Sequence, residues 1–262
     1  MLILNPMPDY LHFALLMDVK LKDHTTKPPA GLNKEEVKRK SKALKKRMLE
    51  LQKMLYAQQR CSLLVIFQGL DAAGKDGAIR KVFSGLNPLG VYVKAFKAPT
   101  EEEKAHDFLW RVHPHVPPKG MIHIFNRSHY EDVLVPVVEG IIDEQQTRRR
   151  YEFINCFEAL LHEENDTHLL KFFLHVSPEE QLRRLKERKT NPEKFWKHND
   201  QDWEVAGKRK QYYRAYEQIF KHCSRIPWHI VPADENWYKN YYVLSKVVET
   251  LEALPLKYPS LS

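Results

Sequence analysis

Short apolar runs recur along the chain at 62–67, 91–96, 121–125, 169–176 and 228–231, each the length of a buried strand. Between them lie segments with apolar residues at helical spacing, among them 76–84, 101–111, 148–163 and 178–189. This alternation of strand and helix predicts an α/β fold: a parallel five-stranded sheet covered on both faces, with ligands outside the carboxyl ends of the strands. Upstream, Asn33 is an N-cap with Glu35 and Glu36 in the first turn. Val37, Leu44, Met48, Leu51 and Leu55 then recur on one face, which predicts an amphipathic helix over 33–60.

The polar positions carry as much information as the apolar ones. Lys34, Lys38, Arg39, Lys40, Lys42, Lys45, Lys46 and Arg47 crowd the outer face of that first helix. The crowding reads equally as a solvated face or as a surface that attracts polyanions. A second basic stretch over 179–214 includes Arg183, Arg184, Arg188, Lys189, Lys194 and Lys197 and is broken at Asn191-Pro192. It predicts a helical hairpin that closes over a phosphorylated ligand as a lid. Residues 1–32, with Lys27-Pro28-Pro29-Ala30-Gly31, predict an extended arm; 33–262 is expected to form one folding unit.

The first apolar run leads into Gly69-Leu70-Asp71-Ala72-Ala73-Gly74-Lys75-Asp76-Gly77, and a helical segment follows. Strand, glycine loop and helix with G-x-x-x-x-G-K spacing make a P-loop. The backbone N–H groups of Ala72, Ala73, Gly74, Lys75, Asp76 and Gly77 are expected to cradle phosphate, and Lys75 to bridge its oxygens. Yet Asp76 stands where Ser or Thr is usual, and Asp71 lies inside the loop. Bound phosphate would repel both unless a cation lies between. Mg²⁺, which takes carboxylate, phosphate and water oxygens together, is the expected ion, with Mn²⁺ able to substitute. Asp76 also fits a helix N-terminal residue facing the macrodipole, and the two roles are compatible.

The third apolar run ends in Asn126-Arg127-Ser128-His129-Tyr130-Glu131-Asp132, at the sheet edge beside the loop. Where P-loop enzymes place a metal-directed acid, this chain has Asn126, so Glu131 or Asp132 would act in its stead through water while Arg127 faces phosphate. His113 and His115 stand two apart, but no Cys or carboxylate beside them completes a zinc pattern.

Composition narrows the class. A net charge of +8 points to a polyanionic partner without choosing among nucleic acid, anionic lipid and phosphate-rich substrate. No run approaches the roughly 20 apolar residues of a membrane span, so a cytoplasmic protein is expected. Cys61, Cys156 and Cys223 form no disulfide or C-x-x-C pattern.

Together, Phe67–Gly77, Gly85-Leu86-Asn87-Pro88, Phe125–Asp132, Lys171–Ser177 and Trp228–Asp234 closely resemble the polyphosphate kinase 2 family, over about 33–255. The resemblance implies a P-loop kinase core with strand order 2-3-1-4-5 and a helical lid, assembled as a homodimer or homotetramer. It also implies Mg²⁺-dependent phosphoryl transfer between inorganic polyphosphate and an adenine nucleotide, with guanine nucleotides as further acceptors. In such an enzyme the loop, with Lys81 and Arg188, holds polyphosphate. The carboxylate matching Asp71 positions metal and the nucleotide's terminal phosphate, with Asp76 and Glu131 reached through water. Asn126 in N-R-S-H-Y-E resembles the class III subgroup, which phosphorylates mono- and diphosphates, and Glu131 is implied as a determinant of monophosphate use. Arg184, Arg188, Trp196, Lys197 and Asp202 match lid positions, and Asn126, Arg127 and Asp132 border the nucleotide.

Two other functions are open to the same residues. One is an ATP-dependent nucleotide or small-molecule kinase. The other is a non-catalytic nucleic-acid-binding protein, for which Trp203, Tyr212, Tyr213 and Tyr216 would stack bases; packing of lid helices explains these aromatics better.

Overall fold

A computed structural model describes residues 19–260 of the chain. Helix α1 (Lys34–Gln58) starts where Asn33 Oδ1 accepts from the Glu35 and Glu36 amides, at 2.9 and 3.1 Å, and stops where Gln59 turns left-handed. Strand β1 (Ser62–Gln68), α2 (Lys75–Phe83), β2 (Val91–Ala95), α3 (Glu101–Lys104), β3 (Ile122–Asn126), α4 (Glu131–Val138) and α5 (Glu144–Glu163) follow. The second half comprises β4 (Thr167–His175), α6 (Pro178–Thr190), α7 (Gln201–Gly207), α8 (Arg209–His222), β5 (Trp228–Pro232) and α9 (Asn236–Ala253).

The strands form one sheet in the order β2-β3-β1-β4-β5 with every neighbour parallel, as the resemblance implied. Alternation along β1 divides the core. Leu63, Val65 and Phe67 face a cluster that includes Leu55 of α1, Val82 of α2 and Val247 of α9. Leu64 and Ile66 face the opposite side, toward Phe157 and Leu161 of α5. A third cluster joins Phe173 to Val133 and Leu134 of α4 and to Tyr216 and Phe220 of α8. The central strands β1, β3 and β4 are buried on both faces, which explains their nearly unbroken apolar runs, whereas the edge strand β2 is partly exposed.

Several local expectations are corrected. The helix expected over 101–111 ends at Lys104, because Asp107 Oδ1 accepts from the Leu109 and Trp110 amides and offers the backbone a turn in place of a helix. Two helices not expected from the pattern, α4 and α9, flank the site; α4 carries Pro136 within an apolar run, which hides its period. The expected lid hairpin over 179–214 is α6, a 3₁₀ turn at Pro192–Lys197, α7 and only the start of α8. Tyr212, Ala215, Tyr216, Ile219 and Phe220 bury the inner face of α8, so its remainder belongs to the core. The expected arm over 1–32 lies partly outside the described residues. Its described part crosses α8 and the end of β5: Leu21 N donates to Glu217 Oε1 at 2.9 Å, and Asp234 N donates to Thr26 O at 3.0 Å.

Candidate active site

The order β3-β1-β4 puts the carboxyl end of β1 at the centre of the sheet, and the glycine loop leaves from there into α2. Gly69 has φ +144°, and a β-carbon on it would lie 2.9 Å from Leu174 O. Gly74 has φ +96° and would place a β-carbon 2.3 Å from Lys239 Nζ. Both positions therefore need glycine. Ala72 adopts φ 63° without that excuse, a conformation that costs about 1 kcal/mol or more and recurs where backbone approaches ligand. The first-turn amides of α2, at Lys75, Asp76 and Gly77, have no acceptor within the helix and are the ready anion donors. Lys75 is buried and folded back, its Nζ donating to Gly69 O at 2.7 Å and Leu70 O at 3.2 Å. Burial, aided by Arg127, lowers its pKa.

Arg127 leaves the end of β3 with φ 63°, a second strained non-glycine residue at the site. Its guanidinium pairs with Asp71 Oδ1 and lies 3.4 Å from Glu131 Oε2. Glu131 foremost, then Asp71, raise the Arg127 pKa against the effect of burial. Burial pushes the Asp71 carboxyl up, but Lys75, Arg127 and Arg188 outweigh it and hold the group below its usual range. Gln68, in the amide orientation that satisfies both its atoms, donates to Tyr216 Oη at 3.0 Å and Glu131 Oε1 at 2.9 Å, and accepts from Ser128. Asp71, Lys75, Arg127 and Glu131, the four expected catalytic residues, are thus one contiguous cluster. It opens into a cavity lined by Asp71, Arg127 and Glu131 together with Leu134, Tyr212 and Tyr216.

Asp76 forms a second, adjoining group. Its Oδ1 accepts from Asn126 Nδ2 at 2.7 Å and its Oδ2 from Lys197 Nζ at 3.1 Å, which joins the loop to the lid. Lys197 and Asn126 hold its carboxyl below the usual range despite burial. Arg188 pairs with Asp202 and donates to Lys197 O at 3.2 Å, so the lid has an internal brace above the loop. Trp196 is exposed beside Lys197, with Nζ 4.8 Å from its ring. Lys81 lies exposed farther along α2.

Two residues, Arg184 and Asp132, stand apart from the roles first given them. Arg184 is behind the loop, its guanidinium donating to the carbonyls of Ala72, Ala73, Ala233 and Asp234 at 2.8–3.2 Å. Asp132 turns away from Glu131 toward Arg111, 3.9 Å distant, and burial raises its pKa to about 6. The histidines pack: His113 meets Phe157 edge-on, His115 stacks on Tyr92, and His123 bonds the His115 carbonyl at 2.7 Å.

Ser128, His129 and Tyr130 anchor the motif that carries Arg127. The Tyr130 hydroxyl donates to Glu158 Oε1 at 2.7 Å, and Lys171 Nζ donates to Glu158 Oε2 at 2.7 Å, Tyr130 Oη at 2.9 Å and Cys223 O at 2.8 Å. All of this is buried. The signal for it was Lys171, a lone cation within the apolar run of β4.

Among the described residues no three His, Cys, Asp or Glu side chains gather as a metal cage. The donor set that does exist, Asp71 and Glu131 about one arginine with Asp76 nearby, is too sparse to hold an ion alone. It suits a hard divalent cation that takes one or two carboxylates and completes its shell with phosphate and water.

A family model described as Polyphosphate kinase 2 matches residues 31–258. The AMP/ADP-polyphosphate phosphotransferase of Meiothermus ruber is 49% identical over 218 residues, 82% of this chain and 81% of the relative. The ADP-polyphosphate phosphotransferase of Rhodopseudomonas palustris is 41% identical over 81% of this chain and 78% of its own. Among solved structures, polyphosphate kinase 2 from Arthrobacter aurescens TC1 superposes with a TM-score of 0.86 at 39% identity, covering 91% of this chain and 86% of that one. A family match that spans the loop, the Asn126–Asp132 motif and the lid, with relatives and a solved structure alike over most of their length, places this chain in the polyphosphate kinase 2 family.

Proposed function

We propose that the protein transfers the terminal phosphoryl group of inorganic polyphosphate to AMP and ADP. One observation carries the reading: Asp71, within the phosphate loop, is paired with Arg127, and both line the cavity that Glu131, Tyr212 and Tyr216 share, so that a phosphate chain on the loop and a second one in the cavity would meet at this pair. The name of the Meiothermus ruber relative, an AMP/ADP-polyphosphate phosphotransferase, supports both acceptors.

In this reading the loop amides and Lys75 hold the polyphosphate terminus, Lys75 exchanging its carbonyl partners for phosphate oxygens. An oxygen of the nucleotide's terminal phosphate, already ionised at neutral pH, attacks the terminal phosphorus in line. The P–O bond to the rest of the chain breaks, and polyphosphate leaves one unit shorter. No general base and no phosphoenzyme are required, so positioning and charge neutralisation do the catalysis. Arg127 spans the two anions, and Glu131, held by Gln68, sets its direction. A divalent cation, proposed as Mg²⁺ with Mn²⁺ able to replace it, would be held by Asp71, with Asp76 and Glu131 through water, and would offset repulsion between the phosphate chains.

Lys197 reaches the loop at Asp76, Arg188 braces Lys197 and acts electrostatically on Asp71, and both would steady the polyphosphate and nucleotide phosphates. Assembly as a homodimer or homotetramer and a cytoplasmic location belong to the same proposal. Among the described residues no helix is long and apolar enough to cross a membrane.

The test is to incubate purified protein and Mg²⁺ with polyphosphate and AMP, ADP, GMP or GDP in parallel, and with ATP as the competing donor. ADP followed by ATP should form from AMP. Absence of product from polyphosphate with any acceptor would overturn the reading, and product from ATP alone would replace it with an ordinary nucleotide kinase.

A further inference from the structure

Every carbonyl of the loop from Gly69 to Gly74 accepts a hydrogen bond from a side chain. Lys75 takes the first two. Behind the loop, Gln181 Nε2 donates to Asp71 O at 3.0 Å, Arg184 Nη1 donates to Ala72 O and Ala73 O at 3.2 and 2.9 Å, and Lys239 Nζ donates to Gly74 O at 3.2 Å. These donors come from α6 and α9, on elements far from the motif in sequence, and are themselves fixed. Arg209 donates to Gln181 Oε1 at 2.6 Å; Arg184 also grips Ala233 O and Asp234 O; Lys239 also bonds Asn236 Oδ1 at 2.7 Å.

The direction of these bonds has a geometric result. In a planar trans peptide the C=O and the following N–H point opposite ways. Carbonyls of Asp71, Ala73 and Gly74 drawn back to α6 and α9 therefore turn the amides of Ala72, Gly74 and Lys75 forward, into the cradle. Free loop peptides would have to be ordered when phosphate binds, whereas restrained ones are ordered beforehand.

Lys239 is the least expected member of the set. It is 1% exposed, both its hydrogen-bond acceptors are uncharged, and its Nζ occupies the place a β-carbon on Gly74 would take. A buried ammonium with neutral partners is unfavourable by itself. Burial foremost, then Arg184, brings its pKa down to about 7. Placed one peptide behind the phosphate cradle, the same ammonium gains a counter-charge once a polyanion occupies the front.

We infer that Lys239, with Gln181 and Arg184, forms a rear clamp of positioning residues: it fixes the loop amides toward the polyphosphate chain and sets a positive charge beneath them. The inference rests on the loop being the polyphosphate site.

The test compares wild type with Lys239→Met, which keeps length without charge, and Lys239→Gln, which keeps a donor without charge. Steady-state kinetics, thermal melting and calorimetric titration of the intact enzyme with inorganic tripolyphosphate are measured together. Lys239→Met should weaken tripolyphosphate binding and raise KM for polyphosphate by about tenfold, with KM for AMP within about twofold of wild type. Lys239→Gln should recover part of the loss, and it carries the test if the Met variant does not fold. A purely structural lysine would lower melting temperature and kcat while leaving both KM values and tripolyphosphate affinity unchanged, which would overturn the clamp. A wild type that turns over ATP in place of polyphosphate would overturn the proposed function instead. The clamp would then stand or fall on tripolyphosphate binding alone.

Discussion

Asp71 and Asp132 are both buried acids near the motif, yet the structure gives them opposite tasks. Asp71 is held ionised by Lys75 and Arg127 at the meeting point of loop and cavity. Asp71→Asn should reduce kcat about a hundredfold or more with the fold intact and the melting temperature only modestly lowered, since it removes charge from the reacting site while Arg127 keeps Glu131; near-normal turnover would refute its role. Asp132 follows Glu131 on α4, and successive residues on a helix diverge by about 100°, so only one of them can face Arg127. Its native pKa of about 6 lies above the ordinary 3.8, so the native state holds that proton more tightly and stability from this group is lost as pH rises from 3.8 through 6. Asp132→Asn should therefore stabilise the fold by about 3 kcal/mol at pH 8, with the gap closing below about pH 4. Arg111 keeps Glu103 at 3.2 Å in that variant. Melting curves across this range would refute the account if the gap did not change with pH. Spacing made Asp71, Lys75, Arg127 and Glu131 legible in the sequence, because each lies in the loop or at the helix start that follows the carboxyl end of a strand. Lys239 and Gln181 carry no local signal: they reach the loop only through the packing of α9 and α6.

At the scale of elements, the motif after β3 is two structures in one. Arg127 and Glu131 face the cavity, while Ser128 touches Gln68 and Tyr130 reaches back to Glu158 and Lys171. The buried ion pair is what sets the start of α4, and through it the direction of Arg127. Glu158→Gln leaves Lys171 buried without its carboxylate and should destabilise the protein by about 3 kcal/mol. Urea titration of the variant checks this, and an unchanged midpoint would show that the pair is dispensable. The central strands were readable because both their faces are buried, so the apolar runs of β1, β3 and β4 are continuous. The lid boundary was misplaced for a related reason: the tyrosines of α8 sit among basic residues, and only packing against Phe173 shows them to be core. The deposit of aromatics that could have stacked bases is thereby largely accounted for, with Tyr212 and Tyr216 left to wall the cavity.

Across the whole molecule, the net charge of +8 acts together with the exposed lysines of α1 and the lid. Some are partly neutralised by neighbours, as in Lys38–Glu35 at 2.6 Å and Lys40–Glu36 at 2.8 Å. Long-range attraction of a polyanion shrinks with the Debye length, from about 30 Å at 0.01 M salt to about 8 Å at 0.15 M. kcat/KM for polyphosphate should fall severalfold over that interval while kcat holds steady; a flat profile would mean that the surface charge does not gather substrate. The arrangement of the clamp also bears on how the enzyme is made. Lys239 meets a loop residue 165 positions earlier in the chain. During synthesis the nine-residue signature emerges long before the lysine that orients it, so a nascent or prematurely ended chain carries the full motif and still lacks a finished phosphate cradle. The ability to capture polyphosphate is thus withheld until α9 has been translated and docked.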